Sequence, residues 1–325
     1  MRTLDLHNFK SFLQANLSFS LLTVFAGMNS SGKSSLLESI RIHHDATKGL
    51  QSPRLLPSLK SNLSIDTYFS ITIDGHSFKM QVKDGKVELE CPKVVPFSYV
   101  YVSANRLGPR DVYMLGYALP TIDIGPDGSG VYAFLEKNAQ LHVAKNLVRA
   151  PGRVDLLKPN VEAWLQMVSP GVTLREELDL KQDEIHPYFN DVRPTETGCG
   201  LSFSLPVIVA LLAPCDTSNV VMIENPEAHL HPRGQVEMGK LISLASASGK
   251  QVFVETHSEH IVDGIRLCVK NGLLSNKDVT MYSVVRNDYE TPSTVEAIHV
   301  AEDGKLDKWP EGFFDQSLIN KRDLL

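Results

Sequence analysis

An eight-residue run, Gly27-Met28-Asn29-Ser30-Ser31-Gly32-Lys33-Ser34, carries the residue types needed to hold a polyphosphate. Gly27 and Gly32 permit a tight turn whose backbone N–H groups point inward at phosphate oxygens, and a helix after the turn adds the positive end of its dipole. In that chemistry Lys33 reaches the β- and γ-phosphates and the Ser34 hydroxyl ligates Mg²⁺, with Asn29, Ser30, Ser31 and Ser35 lining the loop and the first turn. A chance glycine-rich turn is the competing explanation, and context decides between them. The apolar run Leu21 to Ala26 reads as a strand before the loop, and Leu36, Leu37, Ile40 and Ile42 form a helical pattern after it. Two further segments offer partners for a phosphate. Val220 to Ile223 is an apolar strand ending in Glu224, the arrangement of a Walker B acid that completes an Mg²⁺ shell. Val252 to Val254 leads into Glu255-Thr256-His257, so a second strand ends in a histidine. Open α/β sheets bind ligands at the carboxyl ends of their strands, where Lys33, Glu224 and His257 are expected to converge.

The elements that must position these residues alternate between strand and helix. Three short strands are expected before the helix that follows Lys33. Antiparallel strands are expected over Ile65 to Leu89, turned at Asp74-Gly75 and Asp84-Gly85. Phe97 to Val102 reads as a further strand, and Val131 to Val168 as two helices around a break at Pro151-Gly152. Leu201 to Leu212, Gly234 to Ala247 and Glu259 to Asn271 read as helices. Thr280 to Val285 and Thr294 to Val300 read as closing strands. The expected class is α/β, a P-loop NTPase with a mainly parallel sheet flanked by helices, an antiparallel side sheet and a helical subdomain. The expected division is a first lobe over 1–110, a helical insertion over 111–195, a second lobe over 196–275 and a small C-terminal domain over 276–325.

Composition narrows the setting. The 325 residues are 42% hydrophobic and 22% charged, the balance of a globular chain able to bury a sizeable core. The longest strongly apolar stretch, Leu205 to Pro214, is about half the ~20 residues that cross a bilayer, so no membrane partner is expected. The N-terminus lacks the apolar core of a secretory signal, so a cytoplasmic location is expected. Cys91, Cys199, Cys215 and Cys268 are scattered and form no CxxC pair. A net charge of −6 neither demands nor excludes a nucleic-acid partner, which would need basic residues gathered on one face.

Together these segments resemble the soluble ABC-type ATPases of the SMC, RecF and OLD kind. The resemblance is carried by Leu4-Asp5-Leu6-His7-Asn8-Phe9-Lys10-Ser11-Phe12, by the phosphate loop with its helix, and by Glu224-Asn225-Pro226-Glu227-Ala228-His229-Leu230-His231-Pro232. The segment around His257 and the Trp309-Pro310-Glu311-Gly312-Phe313-Phe314-Asp315 tail resemble short ATPases with a small C-terminal domain of unknown function, related in outline to Septu-like bacterial defence ATPases. The resemblance implies ATP and Mg²⁺ as cofactors. It also implies a homodimer or higher oligomer assembled by ATP, a separately encoded effector such as a nuclease, and a role in anti-phage defence. His257 matches the switch histidine that contacts the γ-phosphate. Gly198 to Pro206 matches the signature segment, so Gly200 and Ser202 would cap the nucleotide of a second subunit. A loop merely capped by Ser202 is the plainer alternative.

Three departures from the pattern stand out. The residue after the Walker B acid is Asn225, where a water-orienting glutamate is usual, and an amide cannot act as a general base. Either Glu227 substitutes or water is positioned by Asn225 and His257, so slow turnover is expected. Phe203 stands where similar sequences carry glutamine. The segment after the His257 helix is too short for the Toprim domain of OLD-type nucleases, so any cutting falls to a partner. Of the lesser features, Arg106 and Arg110 sense phosphate or a nucleic-acid backbone, or lie in a solvated turn. Lys10 and Ser11 approach the nucleotide or form an exposed turn. His43, His44, His229 and His231 lack the accompanying ligands of a zinc site and are assigned structural roles.

Overall fold

A computed structural model of the chain describes residues 1–49, 57–116, 123–214, 219–309, 320 and 322–324. Residues 310–315 of the C-terminal tail, residues 51–56 of the polar stretch after the first helix, and Cys215 lie outside the described residues. The chain forms two compact units, one of Met1–Phe97 joined by Asn276–Ala301 and the residues from Lys305 on, the other of Ser98–Ser275 with Glu302–Gly304.

In the first unit, β1 (Thr3–Phe9) and β2 (Phe12–Ser18) form a hairpin closed by the pair Phe9 and Phe12. β3 (Leu22–Ala26) is buried at every residue, as its run, apolar except at Thr23, predicts for a strand covered on both faces. It feeds the glycine-rich loop that begins at Gly27, and α1 (Lys33–Thr47) follows. β4 (Tyr68–Ile73), β5 (His76–Lys83) and β6 (Lys86–Glu90) extend the antiparallel sheet in the order β2-β1-β4-β5-β6. Its turns fall at Asp74-Gly75 and Asp84-Gly85, as the sequence predicts. All four residues have positive φ, the conformation that makes Asp-Gly the favoured two-residue hairpin turn. Phe69 packs between Phe9 and Phe78, with ring centroids 5.6 and 5.9 Å away, and this trio anchors the sheet's buried face.

The second unit begins with β7 (Tyr99–Val102), then β8 (Tyr113–Met114), α2 (Val131–Lys137) and α3 (Leu157–Val168). β9 (Leu174–Asp179) and β10 (Glu184–Phe189) precede α4 (Cys199–Leu212). β11 (Val220–Glu224), α5 (Pro232–Ala247), β12 (Gln251–Thr256) and α6 (Glu259–Lys270) complete it. β11 lies between β7 and β12 and is parallel to both. Each of these three strands has its carboxyl end at the same edge, which is where Ser103, Glu224 and His257 leave the sheet. The chain then returns to the first unit as β13 (Val279–Val285), parallel to β3, and β14 (Thr294–His299), antiparallel to β13. Among the described residues no helix is long and apolar enough to cross a membrane.

The insertion between β7 and α4 is not only helical. β8, β10 and β9 form a three-stranded antiparallel sheet that periodicity does not announce. Leu174-Arg175-Glu176-Glu177-Leu178-Asp179 is charge-rich, and β10 carries Pro187, which normally argues against a strand. The reason it is tolerated is local. Among the described residues β8 pairs with Glu184 and Ile185, so the ladder on that side of β10 stops before Pro187, where no N–H is called for. Ile185, Pro187 and Phe189 alternate inward and supply the burial that holds the strand.

Candidate nucleotide site

In the first unit the loop from Gly27 to Ser34 is closed on itself around Lys33. Gly27, Ser30 and Gly32 have φ of 149°, 62° and 111°, so three residues sit in the region that glycine adopts most cheaply. Lys33 is 3% exposed and its ammonium donates to the Met28 carbonyl at 2.7 Å. Asn29, Ser30 and Ser34 are exposed. Gly32 offers α1 no side-chain cap, and the first turn holds no acidic residue, so its leading N–H groups are disposed to receive an anion. Lys10 does not stand free in its turn: its ammonium pairs with Glu38 on α1. Ser11 is buried and presses on the loop, since a Cβ at Gly32 would come within 2.9 Å of the Ser11 hydroxyl and of the Phe12 ring. His43 is a core residue whose Nε2 meets the His76 carbonyl at 2.7 Å.

In the second unit the acidic strand end is held by β7 and the segment just after it. Glu224 receives the Tyr101 hydroxyl on one oxygen at 2.8 Å and the Ala104 N–H on the other at 2.9 Å. A carboxylate has about four lone-pair sites, so both oxygens keep acceptor capacity for a cation. Asn225 has φ of 46°. Asparagine is enriched in that left-handed region, so the backbone itself favours the amide at the place where a glutamate is usual. The Asn225 Oδ1 is buried without a hydrogen-bond partner.

Glu227 turns back toward β12. Its carboxylate accepts the Thr256 hydroxyl at 2.8 Å and the backbone N–H of His257 at 2.7 Å, leaving the His257 ring exposed. Burial raises the Glu227 pKa, against the opposing pull of the His257 N–H, the Thr256 hydroxyl and Arg106. Ser258 continues the chain by capping α6 through His260 N–H and Ile261 N–H. The proposed signature residues lie close to this turn. A Cβ on Gly200 would sit 2.6 Å from the His229 carbonyl, and the Ser202 hydroxyl is buried without a partner.

Two family models match the chain. Residues 190–262 match the AAA ATPase domain, and residues 274–324 match a protein of unknown function (DUF3696). No protein of curated function matches. Among solved structures, the SmcHead bound to the C-winged helix domain of ScpA superposes with a TM-score of 0.56 at 16% identity, covering 93% of this chain and 98% of that one. The Smc head domain with an extended coiled coil, bound to the C-terminal domain of ScpA and derived from Pyrococcus furiosus, gives 0.54 at 14% identity over 99% and 98%. The chain has the fold of an SMC head. The family match is to an ATPase domain over residues 190–262, and the likeness to the SMC heads is one of fold.

On this SMC-head fold the residue that the sequence placed wrongly is Arg106. It neither reaches for an external phosphate nor lies in a solvated turn. It is 5% exposed, and its guanidinium donates to the carbonyls of Ser103 (2.8 Å), Glu224 (2.7 Å) and Asn225 (2.7 Å). Burial lowers its pKa to about 10, opposed by Glu227, Glu224 and Tyr101, so it stays charged at neutral pH. Phe203 lies against it, with the guanidinium carbon 5.7 Å from the ring centroid, and against His229 at 4.6 Å. Those contacts account for an aromatic where glutamine is usual. Tyr101 was missed for the same reason as Arg106. Both act on an acid more than a hundred residues away in sequence, and no local pattern marks them.

Proposed function

We propose that the chain is a MgATP-binding switch with slow hydrolysis, which self-associates around the nucleotide and passes its state to a separately encoded effector. The observation that carries this reading is the phosphate loop: an uncapped helix start behind two positive-φ glycines, with a buried lysine on the loop's own carbonyl. In it, the loop N–H groups and Lys33 take the phosphates, Ser34 and Glu224 take Mg²⁺, and His257 senses the γ-phosphate. Gly200 and Ser202 then act on the nucleotide of a second subunit. MgATP would supply both the binding energy for association and, on hydrolysis, its release. The role in bacterial anti-phage defence rests on the sequence resemblance. A separate protein reading the head has a precedent in the SMC heads bound to ScpA domains.

A second reading, a nucleotide-gated scaffold that scarcely hydrolyses ATP, is favoured by Asn225 and its left-handed backbone. Both readings predict nucleotide-dependent association, because a composite site ties assembly to ligand. Light scattering on the full chain with and without MgATP is expected to show twice the mass of one chain only when MgATP is present. A single-chain mass under both conditions would contradict both readings.

A further inference from the structure

The C-terminal segment that returns to the first unit touches the phosphate loop at two places, and neither contact has a role in the reading above. β13 runs parallel to β3 in register from Val279 opposite Leu22 to Ser283 opposite Ala26, so its end arrives beside the start of the loop. There the Val284 carbonyl oxygen occupies the space a Cβ on Gly27 would need. Nine residues later, just before β14, Ser293 is 2% exposed and forms two hydrogen bonds. Its N–H donates to the Ser11 carbonyl at 2.8 Å, and its hydroxyl donates to the Ser31 carbonyl at 2.6 Å. Ser11 in turn crowds Gly32. The loop is therefore braced at Gly27 by Val284, at Gly32 by Ser11, and between them by Ser293.

The Ser31 contact has a directional consequence. A trans peptide unit is planar, and its C=O and N–H point opposite ways. Fixing the Ser31 carbonyl toward Ser293 therefore fixes the Gly32 N–H in the other direction. We propose that Ser293 is a positioning residue for phosphate binding, holding the Ser31–Gly32 peptide so that the Gly32 N–H faces the β-phosphate. The inference rests on nucleotide binding at this loop. It gives the segment matched to the protein of unknown function a task in the ATP site.

The test is a calorimetric titration of ADP and of ATP, each with Mg²⁺, into the full-length wild type and three variants. Ser293→Ala is expected to weaken both nucleotides by about fivefold, the weight of one aligned hydrogen bond, because the β-phosphate is common to them. Ser293→Thr keeps the hydroxyl and is expected to restore most of that affinity. Tyr282→Phe removes a different buried hydroxyl of the same unit, one that donates to the Ser18 carbonyl at 2.8 Å. It is expected to lower the melting temperature and leave nucleotide affinity unchanged. Wild-type affinity in Ser293→Ala, or an equal loss in Tyr282→Phe, would overturn the positioning role while leaving the nucleotide site intact. A wild type that binds neither nucleotide would overturn the site itself and this inference with it.

Discussion

Replacing Glu224 by glutamine is expected to lower MgATP turnover by roughly 100-fold or more while the protein still binds ATP. The carboxylate sits at the end of a strand buried at every residue and is fixed by Tyr101 and the Ala104 N–H, so its two oxygens have one orientation. Glutamine supplies one acceptor where two are used. Its amide N–H₂ would face either the Tyr101 hydroxyl or the Ala104 N–H, and the negative charge proposed to attract Mg²⁺ would be gone. The phosphates are expected to stay bound because Lys33 and the loop N–H groups belong to a different segment. A phosphate-release assay beside an ATP titration separates the two effects. Unchanged turnover in Glu224→Gln would remove Glu224 from the metal shell.

Arg106→Met is expected to destabilise the protein by about 3 kcal/mol and to abolish turnover as well. Three carbonyls that converge on one guanidinium would lose their donor inside the protein. Two of them belong to Glu224 and Asn225, so the acidic turn would lose its backbone anchor, and the Glu227 carboxylate would lose its nearby positive charge. Lysine is not expected to rescue, since a single ammonium cannot reproduce the planar fork that spans separate acceptors. Urea denaturation of the wild type, Arg106→Met and Arg106→Lys measures the loss. Wild-type stability in either variant would show that the clamp carries little weight.

What the sequence revealed and what it hid follow from range. The Gly27–Ser34 segment, its strand and its helix are contiguous, so residue types and periodicity were enough to place it from the end of β3 into the first turn of α1. The hairpin turns were legible because Asp-Gly is a local solution to a local strain. Likewise Val220 to Ile223, ending in Glu224, read correctly as a buried strand because its burial leaves an unbroken apolar run. The β9–β10 hairpin was hidden because its proline is harmless only where β8 stops short, a fact of pairing rather than of sequence. Arg106 was hidden because its chemistry, a cation among basic-turn residues, is the same whether it faces solvent or three distant carbonyls. Asn225 was legible as a departure, but its cause, a left-handed backbone under that clamp, required the structure.

The central claim is that the loop around Lys33 binds MgATP, and an equilibrium titration of MgATP into the full-length chain and into Lys33→Ala tests it most directly. The expected result is one saturable site per chain in the wild type, with affinity weakened by roughly 100-fold in Lys33→Ala, since the lysine is the proposed charged partner for the phosphates. No saturable binding to the wild type, or equal binding to both proteins, would contradict it.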